Sequence, residues 1–306
     1  MKSGVGVKMI VITGGSGFIG THLCRRVAKS GSYLNIDLVP PKIETAESAY
    51  ARGNIKNLHF VLGSTRGAGI IYHLAAQTSV QKSIKNPVKD FYSNAAGTLN
   101  LLEACRKNDI PMLVYASSAA IYGVPQYSPI DEAHPKAPLA PYGSTKLAGD
   151  SLCELYHKTY GIKTVRLRFF NVFGVGQDPK SQYSGVITKF AARINDNKNP
   201  AIYGDGSQTR DFVHVSDVVD AILQSAKSPA AAGKAYNIGT GVETSIKGLA
   251  QTMISLSGKK LEIDFKPALS GDIPKSIAKI DAAKADFGFA PKITLKQGLE
   301  RLIDRG

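Results

Sequence analysis

Short β-branched runs alternate with longer helical patterns along the first half of the chain. Apolar runs at Lys8–Thr13, Tyr33–Leu38, Leu58–Leu62, Ile70–Leu74, Met112–Ala116 and Thr164–Phe169 read as strands of a parallel sheet. Between them, Phe18–Lys29, Val88–Lys107 and Pro141–Tyr160 repeat apolar residues at helical spacing. In the last of these, Leu147, Ala148, Leu152, Leu155 and Tyr156 form a stripe suited to a core or to a second chain. The alternation predicts βαβ units, hence an α/β protein with a Rossmann-type doubly wound parallel sheet. After Phe170 the pattern loosens into loops, recovers over Val213–Ile222 and Ala235–Ile238, and ends in two helical segments around a strand-like Leu261–Phe265. No repeat or low-complexity linker interrupts it. Two lobes that share crossing segments are therefore expected, residues 1–170 plus about 208–238 in one, and about 171–207 plus 239–306 in a smaller second one.

Composition narrows the class. The chain has 306 residues, 43% hydrophobic and 20% charged, with 30 Gly and 15 Pro in no period, which excludes collagen-like, coiled-coil and disordered chains. No apolar run reaches the roughly 18 residues of a membrane span. Met1–Thr13 is too short and wrongly ordered for a secretory signal, so a cytoplasmic protein is expected. Cys24, Cys105 and Cys153 are far apart, each within a helical pattern, and suggest neither disulfides nor a metal centre. The net charge of +14 is spread along the chain, with no basic block and no aromatic ladder. A cationic surface that attracts phosphate-bearing small molecules accounts for it better than nucleic acid.

Candidate chemistry begins at Met9–Gly20, where a buried strand runs into Gly14-Gly15-Ser16-Gly17 and then a helix. Glycines there let the backbone turn tightly and approach a pyrophosphate. Gly20 permits close helix–strand packing, and the helix N-terminus supplies amide donors. Asp37 follows Gly20 by 17 residues at the end of the second strand. A carboxylate at that place accepts the adenosine ribose hydroxyls and repels a 2′-phosphate, so NAD is expected over NADP.

Ser117-Ser118 closes a strand, and Pro141-Tyr142-Gly143-Ser144-Thr145-Lys146 opens a helix. Of the 13 tyrosines only Tyr142 has a lysine four residues on, which sets phenol and ammonium on one helix face. A fixed cation favours the phenolate and is expected to lower its pKa. Tyr142 thereby becomes a candidate base. A surface Tyr–Lys pair has the same spacing, and the nucleotide turn and strand-end serine are what favour chemistry.

These motifs resemble the extended short-chain dehydrogenase/reductase family, in particular NAD-dependent nucleotide-sugar epimerases and dehydratases of the UDP-glucose 4-epimerase type. The likeness runs through TGGSGFIG at 13–20, HLAAQ at 73–77, NAAGTLNLLEA at 94–104, SSAAIYG at 117–123, PYGSTK at 141–146, LRFFNVFG at 167–174, YGDGSQTRDFVHVSDV at 203–218 and YNIGTG at 236–241. The resemblance implies that Ser118, Tyr142 and Lys146 are catalytic. It places Gly14, Gly17, Phe18, Ile19, Gly20, Asp37, Ala75, Ala76, Gln77, Asn94 and Phe169 at the cofactor, with Tyr142 and Lys146. Ser79, Ser118, Asn171, Val186, Tyr203, Arg210, Asp272 and Ser276 would meet a nucleotide-diphosphate sugar, a UDP-sugar by the family's habit. A homodimer through Val88–Lys107 and Pro141–Tyr160 is implied as well.

Three departures from the family are expected to matter. Only seven residues separate Leu58–Leu62 from Ile70–Leu74, so the adenine side looks shortened. Gly63-Ser64 stands where a Gly-Asp pair is usual, and Leu269-Ser270-Gly271-Asp272 lacks the usual arginine. The family's 4,6-dehydratases carry an acidic pair just after the Ser118 position, where this chain has Ala119 and Ala120. Neither transfers a proton, which leaves epimerisation at C4 through a transient 4-keto sugar. At Ser276, beside the sugar's C2 in these relatives, a serine leaves room for N-acetyl forms. Another dehydratase, a 4-keto reductase and a nucleotide-sensing protein of weakened turnover are the competing readings.

Overall fold

The computed structural model describes residues 9–41, 46–177, 185–268 and 273–303. In chain order its elements are β1 (Met9–Thr13), α1 (Phe18–Ala28), β2 (Tyr33–Asp37), β3 (Ser48–Arg52), α2 (Leu58–Ser64), β4 (Ala68–His73), α3 (Val80–Lys85) and α4 (Pro87–Phe91). A π-helical turn, Tyr92–Ala96, joins α4 to α5 (Gly97–Lys107), and then come β5 (Met112–Ser118), α6 (Pro141–Tyr160), β6 (Lys163–Phe169) and β7 (Asn171–Phe173). The remainder is α7 (Val186–Asn195), β8 (Ala201–Tyr203), β9 (Thr209–Arg210), β10 (Phe212–His214), α8 (Val215–Lys227), β11 (Ala235–Ile238), β12 (Thr244–Ser245), α9 (Ile246–Ser257), β13 (Asp264–Lys266), α10 (Asp281–Phe287) and α11 (Leu295–Leu299).

Seven strands pair, all in parallel, in the order β3-β2-β1-β4-β5-β6-β11. The central strands β1 and β4 are largely apolar on both faces because both faces are covered. Val11 joins the core under α5 and α6 with Leu101, Cys105, Cys153 and Tyr156, whereas its neighbour Ile12 joins the one under α1 and α8 with Leu23, Val27, Val218 and Ile222. The three cysteines are buried free thiols. A third apolar group, around Phe173, Ile187, Phe190, Ile202, Leu249 and Met253, packs α7 and α9 with the short strands β7, β8 and β10. Among the described residues no helix is long and apolar enough to cross a membrane.

Two expectations are corrected. Leu58–Leu62 is not a strand: it lies in α2, started by Asn57, whose side chain accepts from Phe60 N. Five apolar residues fit either element, and the cap decides. The third strand is Ser48–Arg52, a half-exposed edge strand with few β-branched residues. Gly53-Asn54, not Gly63-Ser64, therefore follows the third strand, and a helix, α2, stands between β3 and β4. In the C-terminal part, the strand is Asp264–Lys266, and α9, α10 and α11 replace the two expected helical segments.

Candidate active site

The strand order reverses between β1 and β4, whose last residues Thr13 and His73 lie in register. In doubly wound sheets the crevice beyond the strand ends opens at such a point. Gly14 leaves β1 with φ +77°, and a Cβ there would lie 2.5 Å from Ala75 N. Gly20 is equally constrained, because its Cβ would strike the carbonyl of Gly14. Gly17 precedes α1, and no side chain caps that helix, while Phe18 and Ile19 form its first turn. The helix thus presents the amides and positive dipole of its first turn to the crevice. Asp37 ends β2 and accepts from Ser16 N at 3.0 Å. An open helix N-terminus, a turn that tolerates no Cβ and a carboxylate at the next strand end suit the pyrophosphate and ribose of NAD.

Ser117 and Ser118 end the same strand and face opposite ways. Ser117 turns inward to Asp150, itself bound to Arg166 and Arg168. Ser118 lies beside the Tyr142 phenol and accepts from Ala120 N at 3.2 Å. It also pairs with Phe169 across β5 and β6, so the strand edge gathers Ser118, Tyr142 and Phe169.

The expected lowering of the Tyr142 pKa is not found. Burial pushes its phenol up, the neighbouring Ser118 hydroxyl opposes this, and the Asp90 carboxylate adds to the rise. Lys146 does lie one turn behind Tyr142 on α6, but its Nζ donates to Ala116 O at 2.8 Å and stands 5.0 Å from the Tyr115 ring centre. Burial lowers Lys146 to about 8, against the pull of Asp90.

Asn94 sits in the π turn, a distortion often found at functional sites. Its Oδ1 accepts from Gln77 N at 2.8 Å, and its Nδ2 donates to Gln77 O and Thr145 Oγ1. Ala75 and Ala76, partly exposed, lead from β4 to Gln77. Ser79, buried, caps α3 by accepting from Lys82 N. Sequence reasoning missed Asp90, Thr145 and His73. Thr13 donates to His73 Nδ1 and His73 Nε2 donates to Thr98, as fixed by the Thr98 hydroxyl donating to Asn94 O. Burial keeps this ring neutral, with its pKa driven to about 3.

In the second lobe Asn171 opens β7, Val186 opens α7 and Tyr203 ends β8. Arg210 Nη1 donates to Ile273 O at 2.6 Å, next to the segment that carries Ser276. The neighbouring Asp211 is buried and accepts from Thr240, Gly241 and Ala278, so the two do not form a surface ion pair. Asp272, with Leu269, Ser270 and Gly271, lies outside the described residues.

The pattern of the NAD dependent epimerase/dehydratase family matches residues 10–239. The chain belongs to that family. A UDP-glucose 4-epimerase of Mycolicibacterium smegmatis is 33% identical over 306 residues, 96% of this chain and 97% of that one. A UDP-glucose 4-epimerase of Thermotoga maritima, solved with UDP-glucose, superposes with a TM-score of 0.91 at 32% identity, covering 96% of this chain and 97% of that chain. One from Thermus thermophilus, solved with NAD, gives 0.87 at 32% identity over 95% of this chain and 96% of that chain. NAD is accordingly the cofactor of this member of the family.

Proposed function

We propose that the protein interconverts C4 epimers of a UDP-linked hexose, UDP-glucose and UDP-galactose in the first instance. The observation that carries this reading is the Tyr142 phenol beside Ser118, with Lys146 one turn behind it on α6, and Ala119 and Ala120, which have no proton to transfer, after Ser118. Bound NAD supplies a reversible two-electron acceptor for C4. Tyr142 removes the 4-OH proton and returns it at the end of the cycle, and Ser118 hydrogen-bonds the reacting oxygen. Lys146, one turn behind Tyr142 with its Nζ on Ala116 O, holds this end of α6 against β5. Gly14, Gly17, Gly20, Asp37, Gln77 and Asn94 hold the cofactor.

Arg210 and Asn171 grip the nucleotide diphosphate while the 4-keto sugar turns over, with Val186 and Tyr203 beside the base. Arginine suits this task through its permanent charge and forked donors. Ser276, partly buried, leaves space at C2 for N-acetylated hexoses. In this reading residues 9–170 and 208–238 carry NAD, and 171–207 and 239–303 carry the nucleotide sugar.

The sensing alternative loses its chief motive, since the adenine side is not shortened. A homodimer is proposed through α4, α5 and α6, where Val88, Phe91, Tyr92, Leu99, Leu155 and Tyr160 are exposed. Incubating the purified protein with UDP-galactose and no added cofactor, followed by proton NMR, tests the function. Appearance of UDP-glucose is expected. Loss of water to a 4-keto-6-deoxy sugar, or turnover only with stoichiometric NADH, would instead identify a dehydratase or a reductase.

A further inference from the structure

Strand β2 carries a buried polar residue in its middle. Tyr33, Asn35 and Asp37 share the face toward α1, where Tyr33 enters the apolar core beneath that helix and Asp37 ends the strand at the crevice. Asn35, between them, is 1% exposed. Asparagine is depleted in strands, and a buried amide needs partners at both its ends. Asn35 finds them in the glycine turn: Oδ1 accepts from Gly15 N at 3.0 Å, and Nδ2 donates to the buried Ser16 hydroxyl at 3.2 Å. That hydroxyl passes the link on, donating to Val39 O at 2.8 Å. We propose that Asn35 is a positioning residue of the cofactor site. It fastens the glycine turn to β2 and, through Ser16, to the loop that follows Asp37, so that the seat of the diphosphate and the acceptor of the ribose are held as one piece. The inference goes beyond the proposed reaction and rests on the glycine turn and Asp37 as the seat of NAD.

Every amide from Gly14 to Gly17 has an acceptor within the protein. Gly14 N donates to Ile36 O at 2.9 Å, Gly15 N to Asn35, Ser16 N to Asp37 Oδ2 at 3.0 Å, and Gly17 N to Gly14 O at 3.1 Å. Three of these acceptors are consecutive residues of β2, so a diphosphate meets instead the amides of the first turn of α1, from Phe18 onward. Where those amides point is set by how β2 holds the four residues before them. A Cβ at Gly15 would lie 2.3 Å from Asn35 Oδ1, so the glycine at 15 answers to the asparagine as well as to the cofactor. An aliphatic residue at 35 would complete the apolar face that a covered parallel strand favours. It would also leave Gly15 N and the Ser16 hydroxyl without these partners, at the cost of two unmet polar groups beside the crevice.

The test is Asn35→Leu, close in shape and without polar atoms. The protein is loaded with 14C-labelled NAD and chased with unlabelled NAD, and the diphosphate of the bound cofactor is observed by 31P NMR. Label is expected to leave at least about ten-fold faster than from the wild type, as the loss of buried hydrogen bonds at the site requires. The diphosphate resonances are expected to move toward those of free NAD. A folded Asn35→Leu protein that exchanges NAD within about two-fold of the wild-type rate overturns the proposal, whatever its melting temperature. Faster exchange with unmoved diphosphate resonances does so too, and leaves Asn35 a residue of general stability. Should this variant fail to fold, Ser16→Ala serves, because it removes the hydroxyl that joins Asn35 to Val39: it must release label faster than the wild type, and an unchanged rate is equally fatal. Neither readout needs turnover of a sugar. The expected exchange in a protein inactive on UDP-sugars therefore overturns the proposed function alone, and epimerisation with unmoved exchange overturns only the role of Asn35.

Discussion

Replacing Tyr142 by phenylalanine removes one oxygen and keeps the ring that fills its place on α6. The resting phenol is held protonated by burial, so proton removal from the sugar depends on the charges around it. Loss of a general base typically lowers rate by roughly 10²- to 10⁴-fold. Tyr142→Phe is expected to lose at least about 10²-fold in kcat while its bound NAD, read by absorbance after denaturation, and its melting temperature stay close to wild type. Near-normal turnover would remove Tyr142 from the mechanism. Tyr142 and Lys146 were expected from their spacing along one helix, and Ser118 from the resemblance of its strand end to the family's. Asp90 and Thr145 were not, since their meaning arises only when α4, α6 and the loop of Gln77 meet. The direction of the Tyr142 shift was illegible for a related reason: i,i+4 spacing reports a neighbour, whereas burial is a property of the assembled site.

At the scale of elements, the tightest constraint is the passage from β1 into α1. Gly14→Ala must adopt φ +77° at a cost of roughly 1–2 kcal/mol, and its Cβ must also displace the backbone at Ala75. That displacement opens the β1–β4 crevice. The variant is expected to lose retained NAD and to melt several degrees lower, by cofactor assay and calorimetry; full NAD content would show that the turn is not the cofactor's seat. The glycine turn, α1 and α6 could be read from sequence because their glycines, the Pro141 that opens α6 and their apolar periodicity are local. β3 could not, for an edge strand of mixed, half-exposed residues has no apolar alternation to show. The adjacent run Leu58–Leu62 imitates a strand until Asn57 is recognised as its cap.

For the whole molecule, the exposed apolar side chains on α4, α5 and α6 are the feature an isolated chain leaves unexplained. Val88 is 64% exposed and Leu155 53% exposed, on helices whose other faces are buried. Val88→Glu together with Leu155→Glu is expected to convert a dimer to a monomer in light scattering, with the helical circular dichroism unchanged. A wild-type monomer at micromolar concentration would refute the proposed interface. A different consequence follows from the position of β11. Residues 235–238 pair with β6, which ends at Phe169, and the α8 that covers one face of the sheet also comes from beyond residue 170. On the ribosome, more than sixty residues must emerge after β6 before its outer edge is covered. Until then a strand with unpaired amides and carbonyls stands at the margin of a half-covered sheet, the arrangement most prone to pair with another chain. The lobe with the nucleotide crevice is begun first and completed late, so a nascent chain stalled between the lobes is the form of this protein most in need of a chaperone.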